Sequence, residues 1–437
     1  MTISKFCLSG LPIVLLASTA LPSYLAGQGA PIDATLARQY FHEAQNLCNQ
    51  DGGKLWGVSL CGPIIFVDRQ TRAVVANQAD RESNLSLSGD VYVGKLPDKI
   101  NIANTAVEWA GVKWTMVIWP LPEDVYARAS LLAHELWHRI QNDIGLPGSM
   151  PANHHLDSRD GRIWLQLEWR ALATALSHRG PRRLQAVQDA LAFRAYRRKL
   201  FPQAAAEERA LEMSEGLAEY TGVKLSGRPD RAAHAASLLR EAEKRESFVR
   251  SFAYASGPAY GILLDEAGAK WRSGLKPDSD LGNLLRESLA VKLPEDIEEE
   301  AAKAARSYDG DALRAAESER EEKRRQLIAA YRSRLVEGPV LAIPLQQMSM
   351  QFNPGNLQPL DSLGTVYPDI RIVDLWGILT VTKGALMSPT FTKIQVPAPA
   401  NPGARPVEGD GWKLELNAGW MIAPGERKGD YVIKKAE

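Results

Sequence analysis

The chain has 437 residues, with 52 Lys+Arg against 52 Asp+Glu and a formal net charge of zero. Balanced charge, with neither basic clusters nor aromatic platforms, argues against a nucleic-acid carrier. Apolar residues at 45% and charged residues at 24% exclude wholesale disorder and a collagen-like or coiled-coil chain, and the length accommodates two or three domains.

Residues 1–30 carry one early cation, Lys5, then an apolar run from Phe6 to Ala20 interrupted by small and turn-forming residues, the pattern of a secretory leader. Cleavage is expected after Ala20 or nearer Ala30, and Cys7 falls inside the run, where it offers no lipoprotein anchor. The run is shorter and more broken than the about 20 apolar residues a membrane span needs, and no later segment qualifies. A secreted or periplasmic protein without a stable span follows. Cys48 and Cys61 then remain as an even pair, which in an exported chain predicts a disulfide; two buried free cysteines are the alternative.

From Trp56 to Ala76 the pattern is strand, turn at Asp68-Arg69-Gln70-Thr71, strand. A further strand is predicted at Lys113–Trp119, rich in β-branched and aromatic residues and stopped by Pro120 and Pro122. Helical patterning dominates from about Glu123 to Leu335 and ends in a run of mixed charge, Glu317–Arg325, read as the solvated face of a connecting helix. After Gly338 short strands and turns take over, including Trp376–Thr382 and Trp412–Leu416, with the Pro-rich stretch from Val396 to Pro406 as a loop. The expected division is a β-containing segment over 31–104, a helical catalytic domain over 105–336 and a small β-rich domain over 337–437.

Within the helical part stands His134-Glu135-Leu136-Trp137-His138. Imidazoles four residues apart project from one helix face and can meet one zinc ion. The Glu between them lies beside the metal, placed to take a proton from a water attacking a carbonyl carbon. Chance gives about one such match per hundred chains of this length, so context has to decide. Counted around a helix, Val125, Ala129, Leu132, Leu136 and Ile140 form an apolar stripe with His134 and His138 roughly opposite. The preceding strand, read as a sheet edge, would let a peptide add itself alongside. Two solvated or core-satisfied histidines are the alternative.

No HExxHxxGxxH extension follows His138, so a glutamate is the first third ligand to seek. Glu168 shares a helix face with Trp164, Ala171, Leu172 and Ala175, where a carboxylate needs a cation. Glu215 is followed by Gly216 and then Ala218, small residues that let two helices approach closely; a surface acidic stripe of Glu208, Glu212, Glu215 and Glu219 is the alternative. His154, His155, His178 and His234 read as surface residues.

Glu215-Gly216-Leu217-Ala218-Glu219-Tyr220 resembles the Glu-Gly-aromatic/Leu-Ala-x-aromatic segment of the gluzincin peptidases, among them aminopeptidase N relatives, glycyl aminopeptidases and clostridial collagenases. The resemblance implies Glu215, rather than Glu168, as the third zinc ligand. The segment from Tyr254 to Asp265 is similar to the Tyr-x-x-Gly segment that follows the ligand helix in aminopeptidase N and glycyl aminopeptidase families, which implies that the Tyr254 hydroxyl steadies the tetrahedral oxyanion. Tyr254 or Tyr260 packing a helix start at Gly257-Pro258 is the alternative. The resemblance runs from Trp114 to Asp265, about a third of the chain, on three short motifs in order. The Gly-x-Met-x-Asn segment with which those aminopeptidases hold a free amine has no counterpart in Trp114–Glu123, which favours an endopeptidase. The long interval before Glu215 implies an insertion with the Glu168 helix and the basic residues Arg194, Arg197 and Arg198, which could shape specificity or cover a cleft.

The expectation is therefore an α+β protein with a zincin-like catalytic core, a small sheet plus a mostly helical part, and a β-rich C-terminal domain. Zinc would be held by His134, His138 and Glu215, with Glu135 as general base and then proton donor, Glu219 orienting a ligand imidazole and a peptide or protein as substrate. A non-catalytic zincin-fold binding or scaffold protein is the second hypothesis, against which the intact Glu135 argues. Oligomeric state is open.

Overall fold

The computed structural model describes residues 32–97, 100, 102–149, 151–352 and 356–436, so the leader expected over 1–30 lies outside the described residues. The protein is mixed α+β and forms two compact units. One comprises the chain up to His42 with Gly62–Leu121, the other Glu43–Cys61 with everything from Pro122.

In the first unit, the opening part of helix α1 (Ala34–Asp51) accompanies a six-stranded sheet of β1 (Ile64–Asp68), β2 (Ala73–Ala76), β3 (Ser86–Ser88), β4 (Val91–Lys95), β5 (Thr105–Trp109) and β6 (Val112–Trp119), in the order β3-β4-β2-β1-β6-β5. The continuous apolar run of β1 is buried along its whole length, as a strand covered on both faces must be. Ile65 and Val67 join Trp114 and Met116 in one core, while Phe66 stacks on Phe41 of α1 at 4.5 Å. The predicted hairpin is present, β1 pairing antiparallel with β2 around the Asp68 turn. Strand β6 is not an edge: it pairs in parallel with β1 and antiparallel with β5, and β5 takes the edge. Its apolar residues find partners on both sides, a pairing that its own composition does not specify.

The second unit opens with the end of α1, whose Cys48 is joined to Cys61 in the expected disulfide. Helices follow: α2 (Val125–Ile140), α3 (Arg159–Ser177), α4 (Gly180–Leu200), α5 (Ala204–Leu211), α6 (Leu217–Leu225), α7 (Arg231–Ala242), α8 (Ala253–Glu266), α9 (Leu281–Ser288), α10 (Ile297–Ala305) and α11 (Gly310–Arg332). The mixed-charge run lies on α11 and is mostly exposed, except that Glu317 is buried against Arg162 at 2.9 Å. Among the described residues no helix is long and apolar enough to cross a membrane.

The chain then forms β7 (Val340–Pro344), β8 (Ser349–Phe352), β9 (Gln358–Pro359), β10 (Thr365–Tyr367), β11 (Ile370–Asp374), β12 (Gly377–Val381), β13 (Ala385–Met387), β14 (Lys393–Pro397), β15 (Val407–Gly409), β16 (Trp412–Leu416), β17 (Trp420–Pro424) and β18 (Tyr431–Lys435). They make two sheets, β17-β18-β7-β14-β13-β10-β9 and β15-β16-β12-β11-β8. Alternation decides which side faces in: Ile370 and Ile372 of β11 are buried while Arg371 and Val373 are exposed. Inward residues of both sheets, including Leu341, Ile394, Trp376 and Leu414, share one core, the mark of a sandwich.

Candidate metal centre

Helix α2 begins where Asp124 caps it, its carboxylate accepting from the Ala127 N–H at 2.7 Å after Pro120 and Pro122 have ended the strand. Val125, the first residue of the expected stripe, is 56% exposed, whereas Leu132, Leu136 and Ile140 are buried. The second half of the helix is enclosed nearly all round, so His134 and Glu135 are buried as well as the stripe. Part of that enclosure comes from α6, whose Gly222 lies so near α2 that a Cβ would come within 2.6 Å of the Ser130 carbonyl.

Between α5 and α6 the residues Glu212–Gly216 form a π-helical turn, which displaces the face that the following residues present. Glu215 sits in this turn. Gly216 meets Gly257 of α8 backbone to backbone, a close approach that the absence of a side chain permits. The result brings three ligand atoms together. His134 Nε2 and His138 Nε2 lie 3.1 Å apart, and Glu215 Oε2 lies 3.6 Å and 3.4 Å from them.

The orientation of each imidazole is fixed from behind. His134 Nδ1 faces the acceptor-only carboxylate of Glu219 at 2.8 Å, and His138 Nδ1 faces Gln141 Oε1 at 2.9 Å. Both Nδ1 atoms therefore donate, and both Nε2 lone pairs point at each other and at a carboxylate oxygen. Two facing Nε2 lone pairs and a carboxylate oxygen converge with no proton of their own between them, which calls for a cation. Tetrahedral zinc with ligands at about 2.0–2.1 Å spaces them about 3.3 Å apart, which is the size of this triangle. The residues thus fit zinc. Without it a proton takes that place: burial disfavours the His134 cation, but bonds to Glu215 and Glu219 and the charge of Glu135 push its pKa up to about 10.

Glu135 stands beside the triangle, Oε1 being 3.9 Å from His134 Nε2, and among the described residues its buried Oε2 has no hydrogen-bond partner. Burial pushes its carboxyl up, against the pull of His134 and His138. Glu215 is held well below the usual range despite burial, because His134, His138 and the Tyr254 hydroxyl bond its carboxylate. Tyr254 donates to Glu215 Oε2 at 2.6 Å and stacks on the His134 ring at 5.7 Å; burial and the Glu215 charge push its phenol up. It lies within α8, which starts at Ala253 and runs through Gly257 and Pro258, so no helix start is packed there.

Glu168 is elsewhere. Fully buried, it accepts from Arg194 (3.2 Å), Arg197 (2.6 Å) and the Tyr260 hydroxyl (2.6 Å), so the cations its apolar face required are arginines. Arg194 and Arg197 are not a surface segment but the centre of an internal ionic network with Glu168, Glu208, Glu212 and Asp280. Glu208 and Glu212 are correspondingly buried, not part of a surface stripe. His155 belongs to the same network, buried and 2.9 Å from Glu208, not on the surface. Sequence reasoning missed Gln141, one turn past His138, whose amide also donates to Ser214 Oγ at 3.4 Å; a polar residue three places after a ligand histidine was the available signal. No family model matches the chain, and neither a curated protein nor a solved structure shows similarity to it.

Proposed function

We propose that this chain is an exported zinc-dependent peptidase of gluzincin type with a zincin-like core, acting on internal peptide bonds. The observation that carries the reading is the convergence of His134 Nε2, His138 Nε2 and Glu215 Oε2 beside a buried, unpartnered Glu135 oxygen. Its export is supported by the leader pattern and by the Cys48–Cys61 disulfide.

Zinc held there would polarise a carbonyl and make a bound water acidic near neutrality. The chain's own groups account for the remaining chemistry. Glu135 takes a proton from the attacking water as the oxygen–carbon bond forms and delivers it to the amine nitrogen as the carbon–nitrogen bond breaks. Its raised proton affinity suits both transfers. Tyr254, whose phenol holds its proton more tightly than usual, remains a donor throughout and turns from Glu215 to the developing oxyanion. Glu219 keeps the His134 proton on Nδ1, leaving Nε2 free to ligate. His138 and Glu215 side chains keep 15% and 16% of their surface, an opening through which substrate reaches the site.

Zinc per chain by elemental analysis, alongside hydrolysis of mixed quenched-fluorescence peptides, tests the proposal. One zinc is expected, retained in Glu135→Gln while hydrolysis falls about 10²–10⁴-fold. Zinc without hydrolysis of any peptide would favour the scaffold reading. No zinc after metal has been offered would remove the mechanism.

A further inference from the structure

One end of the β-sandwich gathers loop tips from both sheets, and Arg332 of α11 reaches its β9–β10 connection at Asp361. Strand directions place the β7–β8, β11–β12, β13–β14 and β16–β17 loops together there, beside the end of β18. Lys393 pairs with Pro344, Asp374 with Gly377, and Trp420 with Lys435. Hydrogen bonds join the loops: Leu345 N–H to the Thr392 carbonyl (2.9 Å), Gln346 N–H to Asp374 (2.9 Å), and the Asn417 amide to the Leu375 carbonyl (3.1 Å). The opposite end is occupied by the link from α11, where Arg334 reaches Lys383 and Asp410, and Arg427 reaches the Val336 and Glu337 carbonyls.

At the first end Leu375 and Phe391 are 45% and 46% exposed, and Met421 next to it is 37% exposed. Phe391 is held outward at φ 56°, a backbone region bulky residues rarely occupy, in a loop where Ser388 Oγ accepts from the Thr392 and Lys393 N–H groups. Around these apolar side chains stand Lys393, Lys434 and Lys435, all exposed and without a carboxylate in ion-pair distance among the described residues. Among the described residues the neighbouring acids are engaged. Asp374 is buried and accepts backbone N–H groups, Glu415 pairs with Lys413 at 3.0 Å, and Asp361 pairs with Arg332 at 2.5 Å.

We propose that this end of the C-terminal sandwich docks on an anionic phospholipid bilayer, with Leu375, Phe391 and Met421 entering the interface and the three lysines meeting the head groups. The charge is complementary to such a surface, and the apolar groups are single side chains on loop tips, suited to entering a yielding acyl boundary. A protein partner is disfavoured because lysine is depleted at protein–protein interfaces. The proposal goes beyond the peptidase reading and does not depend on it. It would hold the metal centre near a membrane surface without a spanning helix.

Co-sedimentation of the full chain with vesicles tests it, comparing phosphatidylglycerol mixed into phosphatidylcholine with phosphatidylcholine alone. Binding is expected to the mixed vesicles, to be weaker on the neutral ones and to fall as salt rises. Leu375→Ser with Phe391→Ser should weaken it by roughly tenfold or more, and Lys393→Gln and Lys434→Gln by roughly fivefold each. Both apolar side chains are already half exposed, so unchanged thermal unfolding will show that the double variant is folded. Absence of binding, or binding unaltered by these substitutions, would overturn the proposal. So would self-association by light scattering that the double serine variant abolishes, which would seat a second copy of the chain on this end.

Discussion

At the residue scale the centre is defined by which atoms are left without a donor. Glu168 is fully buried and Glu215 partly so, and Glu215 meets imidazole nitrogens whereas Glu168 meets guanidinium groups. Their substitutions should therefore separate. Glu215→Gln is expected to lose tightly held zinc and to lower apo stability as well, because His134, His138 and Tyr254 lose the carboxylate they share. Glu168→Gln should keep zinc at lower stability, by about 3–5 kcal/mol, because Arg194 and Arg197 lose a buried counter-charge; elemental analysis and chemical unfolding of both variants check this. Behind the ligands, Glu219→Gln and Gln141→Leu should each weaken zinc about 10–100-fold in competition with a chelator of known affinity. Glu219 fixes one imidazole and Gln141 the other.

At the element scale the ligand turn is placed by a contact that tolerates no side chain. A Cβ on Gly257 would lie 2.3 Å from the Gly216 Cα and carbonyl oxygen, backbone atoms that cannot move aside without shifting the turn that carries Glu215. Gly257→Ala should lower stability by about 1–3 kcal/mol and weaken zinc together with it, seen as parallel losses in thermal unfolding and metal titration. The ionic network ties α3, α4, α5 and the start of α9, where Asp280 both caps the helix and meets Arg194 and Arg198. Despite burial, Arg197 with His155 and Arg198 holds Glu208 far below its ordinary 4.5, and Arg194 with Arg198 holds Asp280 down likewise. Carboxyls depressed on folding contribute stability that is complete above their unfolded pKa and is lost as pH falls. The helical part should accordingly unfold on acidification below about pH 4.5, followed by circular dichroism.

At the scale of the whole molecule, the proposed metal and the disulfide would act as two staples on one unit. Zinc that binds only the folded chain stabilises it by about 2.7 kcal/mol at a free concentration a hundred times its Kd, so chelation should lower the melting temperature and added zinc should restore it. Cys48→Ser opens a short loop and should cost about 3 kcal/mol, measured under non-reducing conditions in the presence of zinc. The sandwich has its own core around Trp376 and Leu379, separate from the metal centre. Its unfolding should be insensitive to chelator. Calorimetry of the full chain with and without chelator would show whether one transition stays in place while the helical transition moves.

The sequence by itself determined what acts over a few residues. Two histidines one helical turn apart, the alternation of the β16 segment, the Asp68 turn and the spacing of Cys48 and Cys61 are all local, and all could be read from period and composition. Only the tertiary structure decided what depends on which elements cross. Nothing in the chain between His138 and Glu215 says that α6 rather than α3 reaches α2, or that a π turn rotates Glu215 into line with two Nε2 atoms. Nor does the composition of Val112–Trp119 reveal that β5 covers its outer side, or the helical wheel that Arg194 and Arg197 point inward at Glu212 and Glu208. Periodicity fixes the face a residue occupies, but the partner it meets there is set by packing between elements far apart in the chain, where small residues such as Gly216, Gly222 and Gly257 determine how near they come.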